Sequence, residues 1–240
     1  MLLLLLLGLA FSIGTTLVFF AARAVKRRHR ESERDGELSV IWSNTPAHMQ
    51  YLNRPACWLA IKSPNLLAVQ AALGLNNPTP CGWTEGLEKK LFIAPPVKGW
   101  VLVLGSGLPD PADDVDRCYR FVTHLSRKLG PVQLFSWSRV LNHHAWVRAD
   151  GGRIVRAFAW AGRTVWKEGQ RTPPEIDLDL KCPEYGETFE PSSFGQVDAI
   201  AANVDRLPLL AARWSLDPAL IEDQRFERET GIAGEPSTRF

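Results

Sequence analysis

The sequence predicts an α+β domain, with helices packed on a mainly antiparallel sheet, following one N-terminal transmembrane helix. Three observations predict it. Residues 2–22 carry no charged side chain, residues 110–129 repeat apolar side chains at helical spacing, and residues 132–167 break into four short apolar runs separated by turn-forming residues.

About 20 apolar residues let a helix cross a hydrocarbon core of about 30 Å. Residues 2–22 meet that length and include six consecutive leucines from Leu2. Gly8, Ser12, Gly14, Thr15 and Thr16 interrupt the run, but a spanning helix satisfies its own backbone and tolerates them. Arg23, Lys26, Arg27, Arg28 and Arg30 follow at once. Positive charge on that flank alone puts the rest of the chain on the cytoplasmic side of a single-pass membrane protein. A cleaved secretory signal is the rival reading, with Ala22, Arg23 and Ala24 as a loose cleavage site, yet the charged stretch that opens such a signal is missing.

Of the 28 Lys and Arg in the 240 residues, 23 remain beyond residue 30, against 26 Asp and Glu. The body is therefore slightly acidic, which argues against a general nucleic-acid binder, since phosphate contacts need a concentrated basic face. Hydrophobic residues make up 45%, charged residues 22%, and there are nine Trp, a composition that can build a core. The expected organisation is an anchor with its basic flank over residues 1–30, a charged linker over 31–37, one globular domain over 38–230, and a frayed tail over 231–240.

Within the domain, residues 57–61 read as a buried strand. Ser63 and Pro64 then supply an N-cap and first position for a helix that Gly74 ends. Residues 91–94 and 100–104 read as strands on either side of a turn built on Pro95, Pro96 and Gly99. The strongest helix follows: Asp110 caps it, Pro111 takes the first position, Asp113 and Asp114 suit its dipole, and Gly130 with Pro131 stops it. Val115, Cys118, Val122, Leu125 and Leu129 form its apolar stripe, leaving Arg117, Arg120, His124, Arg127 and Lys128 toward water. Residues 132–137, 143–149, 153–160 and 164–167 form an antiparallel meander, punctuated by Asn142, by Gly151 and Gly152, and by Gly162. Residues 172–193 read as a Pro-rich acidic loop over the sheet, residues 199–214 as a helix despite Pro208, and Asp217 with Pro218 as the start of a last short helix.

Few residue patterns carry chemistry. Gly105, Ser106 and Gly107 lie between a strand and a helix, as in a dinucleotide loop, but Asp110 occupies the place of the third glycine and would repel a pyrophosphate. A turn with a cap is the better reading. His143 and His144 are adjacent on a strand, so they point to opposite faces and cannot share a metal ion. The four cysteines include no paired motif, and Cys118 lies on the apolar stripe, so all four read as reduced structural thiols. No catalytic residue, metal ligand or cofactor is assigned.

The hairpin of residues 143–160 separates a small face, Ala145, Val147, Ala149, Val155, Ala157 and Ala159, from a large one. The large face carries His144, Trp146 and Arg148 on one strand and Ile154, Arg156, Phe158 and Trp160 on the other. The small face lets a helix approach closely. The large one is either a recognition surface, with His144, Trp146, Arg156 and Phe158 as its candidate contacts, or a second core layer. If the hairpin loop pairs Ala149 with Arg153, Trp146 lies opposite Arg156.

Four segments complete the pattern: Gly82 to Gly86 as G-W-T-E-G, Pro95 to Trp100 as P-P-V-K-G-W, Trp166 to Gly169 as W-K-E-G, and Trp214 to Pro218 as W-S-L-D-P. Together they resemble a bacterial family of uncharacterised proteins over residues 58–218. The resemblance implies one coherent domain and transfers no activity. Two functions are expected from the residues: a membrane-anchored protein-interaction or regulatory module using the large face or the acidic Pro-rich loop, or an enzyme of unknown class in which His144 acts as base beside Glu168.

Overall fold

The computed structural model describes residues 55–187, 194–218 and 230–236. The chain divides after Asn53, and the unit from Arg54 to Phe240 is the one those residues belong to. The expected anchor, the linker, the domain start at Leu38 and the helix after Pro218 lie outside the described residues. No helix among them is long and apolar enough to cross a membrane.

Nine strands form one antiparallel sheet. They are β1 (Cys57–Ile61), β2 (Asn76–Cys81), β3 (Leu91–Ile93), β4 (Val101–Leu104), β5 (Val132–Ser138), β6 (His143–Asp150), β7 (Arg153–Ala161), β8 (Thr164–Glu168) and β9 (Gly231–Glu235). Their order is β2-β9-β3-β4-β1-β5-β6-β7-β8. The tail expected from residue 231 is therefore corrected: β9 inserts between β2 and β3, pairing Ala233 with both Thr79 and Phe92.

Helices cover both faces. On one lie α1 (Leu66–Leu73) and α3 (Val115–Leu129); α2 (Trp83–Gly86) is a single turn after β2. Both long helices start later than expected. Asn65 rather than Ser63 caps α1, accepting from the Ala68 N–H at 3.1 Å, and Asp114 rather than Asp110 caps α3, accepting from Arg117 N–H at 2.8 Å. Asp110 instead closes the preceding turn by accepting from Ala112 N–H at 2.9 Å. Both displaced residues are capping types, and local sequence does not choose between two of them.

Cys118, Val122 and Leu125 of α3 sink into Leu134, Ala145, Val147, Ala157 and Ala159 of the sheet. The alanines bring helix and sheet close together. The loop from β4 to α3 passes over β3 just as tightly. Gly105 has φ +132°, and a Cβ there would stand 2.2 Å from the Lys90 carbonyl oxygen, so glycine is required.

The opposite face holds a row of side chains, all large except the alanine, that crosses seven strands in register: Ala233, Phe92, Leu104, Trp58, Phe135, Trp146 and Phe158. Trp58 stacks on Phe135 at 5.1 Å between ring centroids, and Trp146 lies 4.8 Å from Phe158. Three helices belong to this part of the chain: α4 (Pro173–Asp177), α5 (Phe194–Ala201) and α6 (Asn203–Trp214). Leu207, Leu210 and Ala211 of α6, with Leu180 ahead of it, close over the row. The 172–187 part of the expected loop thus begins with a helical turn and becomes part of the core.

Candidate functional site

The β6–β7 hairpin turns on Gly151 and Gly152, both at positive φ, and pairs Asp150 with Arg153 and Ala149 with Ile154. A bulge then inserts Val155, so Arg148 faces Arg156 and Trp146 faces Phe158. The expected pairing of Trp146 with Arg156 is corrected by two positions, one because the turn pairs Asp150 rather than Ala149 with Arg153 and one because of the bulge, which also moves Ile154 onto the α3 side of the sheet.

His144, Trp146, Arg156 and Phe158 do share one face, but none lies on the surface. His144 is 1% exposed and the other three are fully buried. The recognition surface expected there is a second core layer. Strand parity put these residues together; it could not show that residues 172–183 and α6, far along the chain, would cover them.

Beneath that cover Arg156 and Glu175 form a buried ion pair. Arg156 donates through Nε and Nη2 to Glu175 Oε1, each at 2.8 Å, and through Nη1 to the carbonyls of Ala157, Glu168 and Gly169 at 2.9–3.2 Å. Trp146 Nε1 donates to the same Glu175 oxygen at 2.7 Å. The other carboxylate oxygen accepts from the Thr172 N–H and hydroxyl, both at 2.8 Å. Burial alone would raise the Glu175 carboxyl, but the bonds from Arg156 and Thr172 and the guanidinium charge outweigh it and hold it below the usual range. Sequence reasoning missed Glu175. Its signal was present, since Thr172 and Glu175 frame a T-P-P-E capping box with proline at the first helical position.

His144 does not meet an acid. Its Nε2 lies 3.0 Å from Asn203 Nδ2. Asn203 is fixed by Lys181, whose N–H donates to Oδ1 at 2.9 Å and whose carbonyl accepts from Nδ2 at 2.7 Å. Nδ2 is therefore the group facing His144, so Nε2 accepts and the ring proton sits on Nδ1. Burial, reinforced by His143, pushes the imidazole down to about 3, and it is neutral at physiological pH. Glu168 is exposed, and its carboxylate accepts from Trp166 Nε1 at 3.3 Å. The expected His144–Glu168 pair is not formed.

A second constellation lies at the rim where β1, β6 and β8 begin. His143 points away from His144, as strand alternation requires, and its Nε2 stands 3.3 Å from Asp110 Oδ2. Cys57 is close by, but burial and then the Asp110 charge push its thiol up, so it is held protonated and is a poor nucleophile. This arrangement fastens the 105–114 loop to the sheet. Cys57, Cys81, Cys118 and Cys182 are all free. Among the described residues no group of three or more His, Cys, Asp or Glu is placed to hold a metal. A cavity of about 10 Å³ between Leu73, Leu91, Arg117 and Phe121 has room for about one water.

The same rim holds the first described residues. Trp137 donates its backbone N–H to Ala56 at 2.9 Å and its indole Nε1–H to Pro55 at 3.0 Å. Beside it the β5–β6 loop carries Val140 and Leu141, which are 93% and 69% exposed. No family model matches the chain, and no curated protein or solved structure is detectably similar to it.

Proposed function

We propose that the chain is a single-pass bacterial membrane protein whose domain lies on the cytoplasmic side and works as a protein-interaction or regulatory module. The observation that carries this reading is the cluster of five bases just beyond the uncharged run of residues 2–22. The geometry favours a module over a His144-based enzyme. Arg156 is engaged by Glu175 and three carbonyls, and His144 by Asn203, so neither reaches a substrate. A protein partner then meets the outer surface rather than the buried aromatic row.

Reporter fusions at Phe240 test the placement. A reporter that works only in the cytoplasm is expected to be active, and one that needs export to be silent. The opposite pattern, or a mature N-terminus near Arg23, would overturn it.

A further inference from the structure

Exposed large apolar side chains of the described residues, such as Leu67 on α1 at 68% and Ile176 at 57%, stand singly, with one exception. Val140 and Leu141 are adjacent at the tip of one hairpin, 93% and 69% exposed. The tip has a defined shape: the Leu141 N–H donates to Ser138 Oγ at 3.2 Å, the Asn142 N–H to the Arg139 carbonyl at 3.3 Å, and Asn142 takes φ 48°. A solvated hairpin tip ordinarily carries polar turn residues, so this pair calls for an apolar surrounding. The first described residues lie at this place, because Pro55 and Ala56 are bonded to Trp137 on the strand leading into the tip. Trp137 is half-buried at the same rim, and an amphipathic indole suits a membrane–water boundary.

We infer that the Val140–Leu141 tip dips into the interfacial layer of a lipid bilayer, turning the rim of β1, β5 and β6 toward the membrane. This rests on the membrane-tether reading above. Two adjacent side chains on a convex turn offer little area to a protein groove, whereas a lipid interface accepts a convex wedge. Charge is not the driving contact: Arg139 pairs with Asp205, and exposed Asp113 and Asp114 offset exposed Arg163 on the same rim. The contact therefore holds on vesicles without anionic lipid.

The full chain, reconstituted in phosphatidylcholine vesicles, carries an environment-sensitive dye at Val140→Cys or, at the opposite end of β6, at Asp150→Cys. The parent chain treated with the same dye gives the background from its own thiols. The Val140 dye should emit further to the blue than the Asp150 dye and be quenched by brominated acyl chains. If the chain resists carbonate extraction but both dyes report water, the tip is not in lipid and the inference falls while the tether stands. A blue-shifted Val140 dye that brominated chains do not quench places the tip against protein and also overturns it. A chain that carbonate extracts removes the tether and the inference together.

Discussion

Glu175→Ala should be the most damaging single substitution in the polar part of the core. It leaves the Arg156 guanidinium, 0% exposed, without a counter-charge, and takes the acceptor from Trp146 Nε1 and from the Thr172 N–H. Removing one partner of a buried ion pair costs about 3–5 kcal/mol. The orphaned donors add to this, though not in full, because they share one carboxylate. A loss of about 4 kcal/mol is a large part of a stability of about 5–15 kcal/mol, and in a domain of this size it lowers Tm by roughly 8–16 °C. Arg156→Met combined with Glu175→Leu removes both charges and should recover part of the loss. Recovery stays incomplete, because the carbonyls of Ala157, Glu168 and Gly169 lose their donor. Thermal and urea unfolding of the detergent-solubilised chain, followed by tryptophan fluorescence, measures all three proteins. A Glu175→Ala chain within about 1 kcal/mol of the parent, or a double variant weaker than the single one, would refute the assignment of this pair as a desolvated, mutually dependent unit.

Acid should destabilise the fold through His144. Its folded value of about 3 lies below the ordinary 6.5, so the unfolded chain binds the extra proton and stability falls as pH drops below about 6.5, by about 2 kcal/mol between pH 7.5 and 5. His124 shifts in the same direction, through burial and then Lys128 and Arg127, so the His144 share is read as the slope that His144→Gln removes; an unchanged slope would contradict it. On α3, Leu125→Ala should cost about 2–5 kcal/mol and His124→Ala, on the outer side, less than about 1 kcal/mol, with melting curves of the two variants giving the ranking.

The meander was legible because its signals are local. Asn142, the Gly151 and Gly152 pair, and Gly162 mark three hairpin turns, all at positive φ, and the alanines between them announce the face that α3 approaches. β2 was not legible. Asn76, Asn77, Pro78, Thr79 and Pro80 are exposed and show no alternation, and such a strand exists only because an edge position tolerates proline. The bulge at Val155 escaped for a related reason: either parity looks acceptable from the sequence of one strand, and the partner decides. The candidate site failed on coverage. Whether a face of Trp, Phe and Arg meets water or a helix depends on chain that lies tens of residues away, and the capping box at Thr172, had it been read, would have marked the helical turn without showing that its glutamate reaches Arg156.

The position of β9 bears on the order in which the molecule can be assembled. Thr79 and Ala233 are neighbours across the sheet but 154 positions apart in the chain. At a translation rate of about 5–20 residues per second, roughly 8–30 s separate the synthesis of those two strands. For that interval the Leu91 and Ile93 strand has a bare outer edge and β2 has nothing to pair with. Closing so long a loop is slow and leaves the backbone N–H and C=O groups of that edge unpaired meanwhile. Unlike an edge strand, β9 is a keystone: a chain cut before Gly231 would lose a strand from within the sheet, and β2 with it.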